Sequence, residues 1–131
     1  MNNKRDNLSC SQRNNGIHNL SRDNILSTII IGVTLLTITG NNTYKKYYKT
    51  GLTKYINNAR TLYLISLFCA LIIYIIFEIS NYETLKRKVM TSSNPKSAFI
   101  RLVGSVLIVI GTLCFIYYQS NEEYPAGGPE V

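Results

Sequence analysis

Histidine occurs once and cysteine three times in the 131 residues, and three long stretches contain no charged residue at all. His18 with Cys10, Cys69 and Cys114 cannot supply a His/Cys metal site of ordinary ligand spacing. The cysteine count is odd and two of the three sit inside apolar stretches, which argues against a disulfide framework. Acidic residues number only 7, and Asp6, Asp23 and His18 all lie outside the apolar stretches. No stretch therefore offers the buried acid pair or nucleophile and base that proteolysis or acyl transfer inside a membrane requires. Gly127-Gly128 has neither a lysine nor a helix after it, so no phosphate-cradling loop is expected. Position 2 is not glycine and no hydrophobic region precedes Leu8-Ser9-Cys10, so neither N-myristoylation nor a lipoprotein signal is expected. These absences point away from an enzyme, and we expect no catalytic, cofactor-binding or metal-binding residues.

What is present is segregated. The apolar residues gather in Ile25–Thr39, Thr61–Phe77 and Leu102–Tyr118, while the connecting segments carry the charges. The mean hydropathy of +0.04 thus averages two populations, greasy blocks and basic connectors. A soluble domain with one mixed core does not look like this. The pattern predicts an all-α integral membrane protein with two to three transmembrane helices, three being favoured. The net charge of +7 invites a nucleic-acid reading. Basic residues flanking membrane spans explain it better, through orientation and contact with anionic lipid.

Residues 1–24 are polar and basic, with few large aliphatic side chains, and their composition predicts a disordered arm. A first membrane helix is expected over 25–40. Its uncharged block covers only about 22 Å of a hydrocarbon core of about 30 Å, although threonine hydroxyls can bond back to helix carbonyls. A cleaved signal sequence is the rival reading, with an overlong polar lead and no alanine at Thr37-Ile38-Thr39. Residues 41–60 form a basic connector in which Tyr44, Tyr47, Tyr48 and Tyr55 share one helical face. They would suit a helix lying in the headgroup layer or a flexible loop broken at Gly51. A second helix is expected over 59–90, about 48 Å long, so that its basic end protrudes from the bilayer. Asn94 followed by Pro95 is a start signal for a third helix over 94–119. Residues 120–131 read as a disordered acidic tail.

Three spans put 8 Lys and Arg (residues 1–24 and 81–97) on one side and 5 (residues 40–60) on the other, which places the N-terminus on the cytoplasmic or inner side. Two spans would also keep the N-terminus inside but move the tail there as well.

In the third block Ser97, Gly104 and Gly111 recur every seven residues, as do Ala98, Ser105 and Thr112. Small residues at heptad spacing predict a left-handed helix–helix interface within the chain or between copies, and the second block offers Ser66 and Ala70, the first Thr28 and Gly32, as further small positions. Glu78 and Arg101 are the ionisable residues nearest membrane depth, and an antiparallel pair of helices brings them to one level as a candidate ion pair. Lys45, Lys46, Lys49, Lys86, Arg87 and Lys88 are the candidate contacts to lipid headgroups or to a partner. The expected partners are the bilayer itself and other membrane or membrane-associated proteins, including further copies of this chain. Asn, Ile, Lys and Tyr make up 49 of the residues, the usage of an AT-rich genome. That ranks a virion-membrane or capsid-anchoring setting among the possibilities. The leading expectation is a non-enzymatic scaffold or anchor; the alternative is a small oligomeric pore or a transport accessory subunit.

Overall fold

A computed structural model describes residues 9–122. They form three α-helices in sequence, α1 Cys10–Thr50, α2 Lys54–Met90 and α3 Lys96–Asn121. All three are long and apolar enough to cross a membrane. The most apolar 18-residue window of each is only 11%, 17% and 6% buried inside the protein. Side chains at mid-block stand bare, Ile31 at 63%, Ile72 at 60% and Leu107 at 63% exposed. Apolar surface on this scale needs acyl chains to cover it, so the chain is an all-α membrane protein with three membrane-crossing helices.

α1 is far longer than its apolar block. It starts at Cys10 because Ser9 caps it: Gln12 N–H donates to Ser9 Oγ at 3.2 Å and Ser9 N–H to Gln12 Oε1 at 3.0 Å, a reciprocal capping box. Residues 10–24 are therefore helical rather than the disordered arm their composition suggested; residues 1–8 lie outside the described residues. The helix also runs through Gly40-Asn41-Asn42 and stops at Gly51, whose φ of 69° is left-handed and whose N–H reaches Tyr47 O at 2.7 Å. The expected headgroup-layer connector over 41–60 is thus two helix ends and a tight turn. Tyr44, Tyr47 and Tyr48 lie along the α1 extension and Tyr55 on α2, so the four do not share one helical face; Tyr44 is buried against α2 among Ile56, Ala59 and Tyr63, and Tyr47 packs on that cluster.

α2 ends in a Schellman turn built on serine. Ser92 has φ 53°, and the N–H groups of Ser92 and Ser93 reach Val89 O and Lys88 O. Asn94 Oδ1 then accepts from Lys96 N–H at 3.1 Å and starts α3, with Pro95 in the first turn. The tail beyond residue 122 lies outside the described residues.

α2 is the central helix, packed by α1 on one side and α3 on another; α1 and α3 do not pack directly on each other among the described residues. Most of its sheltered residues fall on two heptad seams. One seam, Ile56, Ala59, Tyr63, Ser66, Ala70 and Ile73, faces α1; the other, Arg60, Leu64, Leu67, Leu71, Tyr74, Glu78 and Asn81, faces α3. The seams are displaced by one residue, about 100° around the helix. α1 and α3 therefore both run antiparallel to α2 on neighbouring faces of it. The pairs Arg22–Ser80, Thr37–Ser66 and Asn41–Tyr63 fix the α1 register, and Glu78–Ser105 and Arg60–Gln119 that of α3. In this register all three apolar blocks lie at the same level of α2, as a common slab of hydrocarbon demands.

At 1.5 Å per residue α1 and α2 are about 62 and 56 Å long, α3 about 39 Å. Not only α2 but also α1 overhangs a core of about 30 Å. The N-terminal part of α1 and the C-terminal part of α2 face one another beyond the bilayer, lining a polar cleft with Asn15, His18, Asn19, Glu83 and Arg87.

Candidate functional site: helix seams and the groove between α2 and α3

The α1–α2 seam is held by polar groups inside an apolar slab. The hydroxyls of Thr37 and Ser66 lie 2.8 Å apart, Ser66 Oγ also approaches Val33 O at 3.4 Å, and Tyr63 OH donates to Asn41 Oδ1. Such bonds between membrane helices contribute about 0.6–2 kcal/mol each. Ser66 is buried at this crossing and Ala70 is half-buried one turn further along. Gly40 is the tightest of the described glycines: it is buried under the Tyr63 ring, and a Cβ there would meet Tyr63 Cε1 at 3.0 Å. The heptad spacing from Leu26 through Val33, Thr37 and Gly40 to Tyr44 could have found this seam, but Gly40 followed by two asparagines reads as a helix stop.

In α3 only one of the two small-residue columns meets α2. Ala98 and Thr112 are buried and Ser105 half-buried, and the column ends in buried Gln119, whose carbonyl accepts from Arg60 Nε at 3.2 Å. Ser97 and Gly104 are exposed and Gly111 only half-buried, and a Cβ on either glycine would meet nothing within 4 Å. The column Ser97, Gly104 and Gly111 is therefore not a packing surface within the chain. The reason is angular: a column one residue away is rotated by about 100°, off the narrow heptad seam.

Glu78 and Arg101 do not form the expected pair. The Glu78 carboxylate accepts from Ser105 Oγ, and among the described residues the ion pair formed is Arg22–Asp23, at 3.3 Å on α1. Helical side chains lean toward the N-terminus of their own helix. In an antiparallel pair Arg101 thus leans out toward the headgroups and Glu78 leans inward. Glu78, beside Ser105, also lies about one turn deeper than Arg101, so the two side chains diverge.

Beside Arg101 the α2–α3 seam opens into a groove of about 360 Å³, lined by Tyr74, Phe77, Asn81, Arg101, Gly104, Ser105 and Ile108. Asn81 is only 7% exposed, and its carboxamide has no hydrogen-bond partner among the described residues. Composition gave no sign of this position: Asn81 lies just past Glu78 and reads as the start of the protruding end.

The remaining basic candidates are on overhangs. Lys45, Lys46 and Lys49 are exposed on the α1 extension, with Lys46 beside Tyr55 and Asn58 in an open cleft. Lys86 and Arg87 are exposed and Lys88 half-buried on the α2 overhang. His18 belongs to the polar cleft between the overhangs. Among the described residues no three His, Cys, Asp or Glu side chains cluster to hold a metal ion. Compared with known proteins, the chain matches no family model, no curated protein and no solved structure.

Proposed function

We propose that this protein is a non-enzymatic membrane scaffold, which fixes a basic two-helix stalk to the bilayer and presents it to anionic lipid or to an acidic protein layer. The observation that carries this reading is the overhang. α1 and α2 continue past the apolar slab as paired helices, and Lys86, Arg87 and Lys88 lie on the part of α2 that stands clear of it. The excess of Lys and Arg on that side, 8 against 5, favours the cytoplasmic or inner face for the stalk and the N-terminus. Anionic lipid is concentrated on that leaflet, where each basic residue near the surface contributes about 1 kcal/mol of attraction. Partners of this chemistry include a capsid or envelope layer, and lipid-facing surface is available for further copies of the chain.

The pore alternative has less support. Thr28 and Thr34 are exposed on α1, but their hydroxyls bond back to Asn24 O and Ile30 O, which leaves them ill-placed to line a polar path. Crosslinking in native membranes tests the scaffold. Reversing Lys86, Arg87 and Lys88 to Glu should abolish crosslinks to peripheral acidic partners while membrane insertion persists. Unchanged crosslinks in the reversed variant refute it.

A further inference from the structure

We propose that the groove between α2 and α3 is a binding site for one anionic phospholipid, its phosphate held by Arg101 and Asn81 and an acyl chain lying along Gly104. The levels of the lining residues match such a molecule. Asn81 lies one turn past Phe77, where the uncharged run of α2 ends, and Arg101 precedes Leu102, where that of α3 begins. Both groups therefore sit at the boundary between hydrocarbon and headgroups, facing each other across one groove. One and two turns deeper the lining is Phe77 and Tyr74 on α2, with Gly104 and Ile108 on α3. Below this level Ser105, bonded to Glu78, is a polar lining residue, but a polar top over a mainly apolar groove is the profile of a phospholipid, not of a soluble anion.

Two observations ask for a ligand. Arg101 is an exposed cation at membrane depth without a carboxylate partner among the described residues, since Glu78 is taken by Ser105 a turn deeper. A guanidinium recognises phosphate oxygens through paired N–H donors, which resolves that position. Asn81 is more than nine-tenths buried, carries no hydrogen bond, and lines the groove. Its NH₂ can donate to a phosphate or ester oxygen that enters the groove from outside. Gly104 leaves the lower groove open, because a Cβ at that position meets only empty space.

The site deepens the lipid contact in the scaffold reading and rests on the bilayer placement, but it is independent of Lys86, Arg87 and Lys88. The test is native mass spectrometry of the purified full chain, released from vesicles of phosphatidylcholine with and without phosphatidylglycerol. The wild type should retain one phosphatidylglycerol in preference to phosphatidylcholine, and inorganic phosphate should not displace it. Arg101→Gln and Asn81→Leu should each weaken retention about tenfold, the worth of a charge-assisted or buried hydrogen bond. Gly104→Phe should block retention while circular dichroism and melting stay as in the wild type, since the ring fills lipid space. Arg101→Lys should recover part of the binding if Arg101→Gln inserts poorly. Neutralising Lys86, Arg87 and Lys88 should leave this retained lipid in place while abolishing peripheral crosslinks, so the two proposals fail separately. Equal retention of both lipids, or wild-type retention by a folded Gly104→Phe chain, overturns the site. So does a loss on Arg101→Gln of self-association rather than of lipid.

Discussion

Replacing three glycines by the same residue separates the seam that packs from the face that does not. In Gly40→Val the new Cβ would sit 3.0 Å from Tyr63 Cε1 and 3.2 Å from its Cδ1 and Cζ, tighter than van der Waals contact allows. The ring cannot swing aside cheaply, because Tyr63 OH is tied to Asn41 and the ring belongs to the cluster of Tyr44, Ile56 and Ala59. Overpacking of this kind costs about 1–3 kcal/mol, and breaking the Tyr63–Asn41 bond would add about 0.6–2 kcal/mol. Gly104→Val and Gly111→Val meet nothing within 4 Å. They should change stability by no more than about 0.5 kcal/mol, as surface substitutions do. The assay is reversible unfolding in mixed micelles, read by pulse proteolysis for all three variants. Gly40→Val in a Tyr63→Ala background should recover most of its loss, since the clashing ring is gone. If Gly40→Val is as neutral as Gly104→Val, or if the α3 glycines prove the sensitive ones, the assignment of the seams is wrong.

Ser66→Ala should destabilise by about 0.6–2 kcal/mol in the same assay through loss of the Thr37 contact, and Thr37→Val should add little on top of it. Ser9→Ala removes the capping box and should fray the first turns of α1, at a cost of about 1 kcal/mol. Faster amide exchange confined to the residues just after Cys10 is the expected signature. Ser92→Gly should stabilise by about 1 kcal/mol, because Ser92 holds a left-handed φ of 53° that glycine adopts without a Cβ clash. A lowered midpoint for that variant would contradict the turn geometry.

The apolar blocks, the break at Thr91 to Asn94 and the start at Asn94-Pro95 are legible in the sequence, because length, hydropathy and capping act locally. The heptad repeat of α3 is legible too, but not which of its columns packs. Ala98, Ser105 and Thr112 differ from Ser97, Gly104 and Gly111 by one position, and only the face offered by α2 decides between them. Gly40 misleads for a related reason. It carries the residue type of a helix stop, yet it is a contact glycine under Tyr63, and Gly51 holds the left-handed turn instead. The helix before Asp23 was signalled by Ser9 and Gln12, a pattern that composition alone passes over. The Glu78–Arg101 pair fails because the helix register sets Glu78 beside Ser105, a turn deeper than Arg101, and because the two side chains lean apart, neither of which sequence position alone reveals.

The number of crossings tests the whole arrangement most directly. In sealed vesicles, an impermeant thiol reagent can be applied to a chain keeping only Cys10 and to a chain keeping only Asn121→Cys. Three antiparallel crossings place these two ends on opposite faces, so the reagent should label one chain from outside and the other only after the vesicles are opened. Labelling of both from the same side would leave two crossings and remove α1 from the bilayer.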